Sequence, residues 1–169
     1  MKLVRATTTD LPEIVSLMNR AYRGRAGWAV EEGYIQGDRI RLPDLEAEIA
    51  AKPELQWLVW REGGMLLGTV SLEPMADGVW YLGSLTIEPS QQASQAGRRL
   101  LVAAEAIARD AGARRIELTV IWVRETLIAW YQRRGYVLTG KTTPFPYGDE
   151  RWGTPMRDDL YFVWLEKVL

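Results

Sequence analysis

No stretch of this chain restricts its architecture as much as Leu85 to Leu101, which reads Leu-Thr-Ile-Glu-Pro-Ser-Gln-Gln-Ala-Ser-Gln-Ala-Gly-Arg-Arg-Leu-Leu. The apolar run Val79 to Ile87 is a strand by pattern, and Pro89 ends it. A short loop of small and amide residues follows. A helix over 97–111 then carries one stripe of Leu100, Ala104, Ile107 and Ala111, with Leu101 and Ala108 beside it, and Gly112 stops it. A loop entering a helix exposes backbone N–H groups that have no intrahelical partner, at the positive end of the helix dipole. Such a start is an anion site suited to a diphosphate. Small side chains at Ala93, Ser94, Ala96 and Gly97 let oxygens approach the backbone, and Arg98 and Arg99 add positive charge.

The rest of the chain sets this unit in an α/β frame. Residues 2–6 read as a strand. Asp10 opens a helix over 10–22, with Pro12 in its first turn and Leu11, Ile14, Val15, Met18 and Tyr22 at helical spacing. Between 23 and 44 four glycines and Pro43 break the pattern. That stretch is expected to be an aromatic binding loop with a short helix near 30–36, followed by a helix at 43–51. Strands over 55–60 and 65–72 flank a turn at 61–64, and Asp77-Gly78 turns the chain into the strand at 79–87. After the 97–111 helix come a buried strand at 116–121, a helix at 125–134 ended by Gly135, a short strand at 136–138, a loop over 141–157 and a last strand at 161–168. The order β-α-α-β-β-β-α-β-α-β-β predicts a mixed sheet with helices on both faces.

Two absences narrow the chemistry. There is no cysteine and no histidine. Without cysteine there is no disulfide, no thiolate nucleophile and no thiolate metal site. Without histidine there is no Ser-His-Asp triad and no imidazole metal centre, and no metal is expected. Acid–base work falls to carboxylates, Tyr, Lys or water. The 21 basic and 22 acidic residues leave a net charge of −1, which gives no bulk attraction for nucleic acid or an anionic membrane. No secretory leader and no apolar run of membrane-spanning length is visible, so a cytoplasmic location is expected. A length of 169 residues suits one domain, 1–169.

On these residues the chain resembles the GNAT (GCN5-related) N-acetyltransferase family. The family's phosphate loop has Gln or Arg, two residues, Gly, one residue, then Gly or Ala, after a strand ending in Pro. Gln92 and Gly97 match it, whereas Gln95 stands where a glycine is usual. Arg5-Ala6-Thr7 followed by Asp10-Leu11 resembles the family's first strand and helix start. Trp130-Tyr131-Gln132-Arg133-Arg134-Gly135-Tyr136 resembles its aromatic-Tyr motif. Arg124 stands where many members carry Asn.

The resemblance implies a single-domain GNAT-like, mostly antiparallel mixed sheet. It also implies an acetyl-CoA-dependent N-acetyltransferase that moves an acetyl group directly to a primary amine, with a small molecule as the expected acceptor. A homodimer is expected only by family habit. Backbone of Leu85, Thr86 and Ile87 would bind pantetheine, and Gln92, Ala93, Ser94, Gln95, Ala96, Gly97 and Arg98 would hold the diphosphate, with Arg124 either a further cofactor contact or a helix cap. By spacing alone Tyr131 reads first as a core aromatic four residues after Leu127; the resemblance implies that it protonates the leaving thiolate. Glu31, Glu32 and Glu73 are candidate proton acceptors. Trp28, Glu31 and Tyr81 are candidate acceptor contacts, with Glu31 beside Trp28 forming an ammonium site. Glu31 also reads as a solvated loop residue. The alternative function is a CoA- or nucleotide-binding sensor of the same fold without turnover, to which Gln95 lends weight.

Overall fold

The computed structural model describes residues 1–24, 31 and 33–169, with the backbone alone over 92–94. One sheet carries β1 (Leu3–Arg5), β3 (Gln56–Glu62), β4 (Met65–Pro74), β5 (Val79–Ile87), β6 (Arg115–Ile121), β7 (Val137–Pro144) and β9 (Tyr161–Val168), with β2 (Ile35–Gln36) and β8 (Thr154–Pro155) forming a separate pair. The strands of the large sheet lie in the order β1-β3-β4-β5-β6-β9-β7, and every pairing is antiparallel except β5 with β6. The helices are α1 (Leu11–Arg23), α2 (Leu42–Ala51), α3 (Ala96–Asp110) and α4 (Glu125–Gln132). The connection β5-α3-β6 is the crossover that a parallel pair needs.

Period-two alternation in β3 shows how the sheet is covered. Leu58 and Trp60 join Leu100, Leu101, Ala104 and Ala108 of α3 in one core, which also takes in Tyr131 of α4. Trp57 and Val59 point the other way and pack with Ile14, Leu17 and Met18 of α1 and Leu45 of α2. Helices on both faces and a mixed, mostly antiparallel sheet are as the sequence predicts. At the 61–64 turn, Gly63 and Gly64 both take positive φ, 57° and 83°, which closes the two-residue β3–β4 hairpin.

Two expectations need correction. No helix forms at 33–36: Gly33 and Tyr34 turn, and Ile35 and Gln36 pair with Pro155 and Thr154. The apolar Ile35 is buried in a small cluster with Phe145 and Leu160, so partners distant in sequence set its conformation. The loop expected from 141 begins later, because β7 continues to Pro144. Its register shifts between Leu138 and Thr142, where Gly140 takes φ 82°, and pairing with β9 resumes beyond. Pro144 is tolerated at the end of an edge strand, where no ladder donor is required. Among the described residues no helix is long and apolar enough to cross a membrane.

Candidate functional site

β5 and β6 pair only at Val79–Arg115, Trp80–Ile116 and Tyr81–Glu117. Beyond Tyr81 the two strands part, and among the described residues the edge of β5 facing β6 has no strand beside it. A bulge accompanies the separation. Thr69 pairs with Thr86 and Ser71 with Gly83, so β5 holds one residue more than β4 across this interval. Ser84 takes φ 52°, a left-handed conformation that costs a non-glycine residue about 1–2 kcal/mol. A Cβ on Gly83 beside it would meet Ser71 Oγ at 2.8 Å, so a larger residue there would force the serine side chain to shift. A glycine inside a strand pattern is the sequence signal that would have indicated this bulge.

The gap opens into a cavity of about 170 Å³ whose walls include Ser84 and Leu85 of β5, Leu118 to Ile121 of β6, and Tyr131 of α4. Tyr131 is buried, and its ring sits edge-on between Trp130 at 5.0 Å and Tyr136 at 5.4 Å. Its hydroxyl has no hydrogen-bond partner among the described residues. Burial pushes its pKa well above the ordinary tyrosine value, so it holds its proton as a donor would. The Tyr22 hydroxyl reaches the Leu85 carbonyl at 3.5 Å from the α1 side. Thr86 and Ile87, also expected at the cofactor, are buried and paired with Thr69 and Gly68 of β4.

The entrance to α3 has the expected form. Residues 89–94 make a 3-10 turn, and Gln95 takes φ 58° before the helix begins at Ala96. Ala96 and Gly97 are buried, whereas Gln95 and Arg98 expose their side chains. Gln95 therefore adopts the left-handed backbone that a glycine would take most easily, with its amide in solvent. Of Gln92, Ala93 and Ser94 only the backbone is described.

The acceptor side is built differently from the expectation. Trp28 and Glu32 lie outside the described residues. Glu31 is neither a solvated loop residue nor an open ammonium site. It is buried, with its carboxylate bonded to Arg23 and 3.6 Å from Arg124 Nη1. Arg23 donates onward to the Gly37 carbonyl at 2.6 Å, so the ion pair ties the end of α1 to the 31–37 segment. Arg124 lies in the cavity wall, with its guanidinium over the Tyr22 ring at 5.7 Å. Tyr81 lines the cavity, but its hydroxyl is 2.7 Å from Thr119 Oγ1. Glu73 pairs with Lys52 at 2.9 Å.

Among the cavity residues without a sequence signal are Arg39, Glu48 and Trp152. Glu48 reads as one more polar position on α2, four residues before Lys52. In the structure it is an exposed residue that lines the cavity, and partial loss of water there raises its pKa. Among the described residues there is no cluster of three or more side chains that would hold a metal ion.

Residues 12–136 match the family model described as Acetyltransferase (GNAT) family. A protein of Azospirillum brasilense named IAA acetyltransferase is 32% identical over 108 residues, which is 63% of this chain and 69% of that one. The fold is similar to the Salmonella typhimurium yncA structure, solved with its cofactor acetyl-CoA, at a TM-score of 0.69 and 20% identity over 100% of this chain and 94% of that one. It is equally similar to the Thermoplasma acidophilum PaiA N-acetyltransferase in complex with coenzyme A, at a TM-score of 0.69 and 18% identity over 99% of this chain and 98% of that one.

Proposed function

Since the chain belongs to the acetyltransferase (GNAT) family, we propose that residues 1–169 form one catalytic domain that moves the acetyl group of acetyl-CoA directly to the primary amine of a small molecule. The observation that carries this reading is the parting of β5 and β6 beside Tyr131. An unpaired strand edge accepts an extended amide-bearing chain as an added strand, which fits the pantetheine arm. The start of α3, with Ala96 and Gly97 buried beneath it, fits the diphosphate.

Acetyl-CoA supplies an activated thioester. In the reading proposed here, backbone N–H groups at the β5 bulge draw charge onto the thioester oxygen. The amine nitrogen bonds to the carbonyl carbon as the carbon–sulfur bond breaks. The amine gives up one proton, and Tyr131 gives one to the departing sulfur. Glu48 is assigned the role of taking the amine proton. Glu31 is assigned a positioning role instead, because both its oxygens already face guanidinium groups. The exposed side chain of Gln95 weakens the argument for a sensor without turnover, since the departure from glycine leaves the loop backbone in a glycine-like conformation.

The test is thiol release from acetyl-CoA across a panel of primary amines, run beside calorimetric CoA binding. Amine-dependent release supports the enzyme. CoA binding without release under any amine supports the sensor.

A further inference from the structure

The cavity wall carries four cations, Arg23, Arg39, Lys52 and Arg124, and three carboxylates, Glu31, Glu48 and Glu73. Glu31 faces Arg23 and Arg124, and Glu73 holds Lys52. Arg39 and Glu48 remain, and neither has an ion-pair partner within 4.0 Å among the described residues.

Arg39 is nonetheless firmly placed. Its backbone N–H donates to Asn19 Oδ1 at 2.7 Å, and the same amide side chain both accepts from Ile40 N–H and donates to the Ile40 carbonyl. Its guanidinium lies 5.1 Å from the Tyr22 ring and 5.2 Å from the Trp152 ring. These ring contacts orient the group through its charge and occupy none of its N–H donors. A half-buried guanidinium with unoccupied donors matches the paired oxygens of a carboxylate.

We propose that the acceptor is a free amino acid, with its carboxylate on Arg39 and its amine on the Glu48 side of the cavity. This rests on the acetyl-transfer reading above. Arg39 and Glu48 supply the two charges a zwitterion lacks partners for, one of each sign, in one cavity. The aromatic walls, Tyr22, Phe145 and Trp152, take an apolar side chain. The reaction balance is unchanged: the amine loses a proton as the carbon–nitrogen bond forms, the sulfur gains one, and the carboxylate is a spectator.

The experiment compares apolar amino acids with their decarboxylated amines, L-phenylalanine against 2-phenylethylamine being the first pair, in the wild type, Arg39→Gln and Arg39→Lys. Binding of L-phenylalanine to the CoA-loaded protein is measured alongside by calorimetry. A charged hydrogen-bonded contact predicts a preference for the amino acid of roughly tenfold or more in kcat/KM. That preference, and L-phenylalanine binding, should collapse in Arg39→Gln and largely return in Arg39→Lys. Equal use of both members of each pair, or a preference and binding that survive Arg39→Gln, overturns the assignment and leaves acetyl transfer standing. Arg39-dependent binding of L-phenylalanine with no thiol release from any amine supports the carboxylate site and overturns the acetyl-transfer reading. No binding and no preference for any amino acid overturns the assignment.

Discussion

The Tyr81 hydroxyl on β5 lies 2.7 Å from Thr119 Oγ1 on β6, two residues beyond the Glu117 position where backbone pairing of these strands stops. This side-chain bond closes the apex of the gap from which the cavity opens. Tyr81→Phe removes the bond and keeps the ring. A net hydrogen bond contributes about 1 kcal/mol, so the urea midpoint should fall accordingly. A looser apex should weaken CoA binding by about fivefold, the equivalent of that energy. Unchanged stability and CoA affinity would show that the apex does not depend on this bond.

Tyr131→Phe removes the proposed proton donor without emptying its place between Trp130 and Tyr136. Single-turnover acetyl transfer should slow by roughly 10²-fold, the low end for acid–base catalysis, while CoA affinity stays close to wild type. Because burial raises the Tyr131 pKa, the wild-type rate should show no alkaline loss from this group up to about pH 10.

Glu48 supplies the opposite limb. A base works only when deprotonated, and partial loss of water at this exposed residue on the cavity wall raises its carboxyl pKa. Single-turnover rate should therefore climb with pH through a transition above the ordinary glutamate value. Glu48→Gln should lower the rate by about 10²-fold and abolish that limb. Retention of the same acidic limb in the variant would assign it to another group.

Glu31→Gln tests position against catalysis. The Glu31 side chain is 5% exposed and its two arginine partners 12% and 9%. Removing its charge leaves two guanidinium groups without their counter-charge, and breaking a buried ion pair from one side costs about 3–5 kcal/mol. A large drop in thermal midpoint is expected, with CoA still protecting the folded fraction. A variant with wild-type stability and slow chemistry would instead restore Glu31 as a base.

Gln95→Gly should relieve the left-handed backbone at φ 58°. The gain is offset by the extra freedom of glycine in the unfolded chain, which leaves a net stabilisation of up to about 1 kcal/mol. CoA affinity should equal or exceed wild type. Gln95→Val, β-branched and resistant to positive φ, should reduce both. Reduced CoA affinity in Gln95→Gly would mean that the glutamine side chain itself contacts the ligand.

The strand into Pro89, the small-residue loop and the α3 stripe were legible in the sequence because their determinants are local: a proline ends a ladder, and 3.6-residue spacing sorts a helix face. Two-residue alternation in β3 is equally local, and it places Leu58 and Trp60 on one core and Trp57 and Val59 on the other. By contrast, β2 is a strand only because Pro155 and Thr154 reach it, and no window around residue 35 contains that partner.

The same division runs through the candidate site. The residue sequence alone nominated Tyr131, Gly97, Tyr81 and Glu31, and excluded imidazole and thiolate chemistry. Tertiary structure decided what each carboxylate faces: Glu31 meets Arg23 and Arg124, Glu73 meets Lys52, and Glu48 and Arg39 have no ion-pair partner among the described residues of one cavity wall. Charge pairing acts through space and its strength depends on burial. Residues from α1, α2, β5, β6 and the 150–152 turn must therefore converge before an ordinary surface glutamate and a loop arginine become the groups with charge left to offer a ligand.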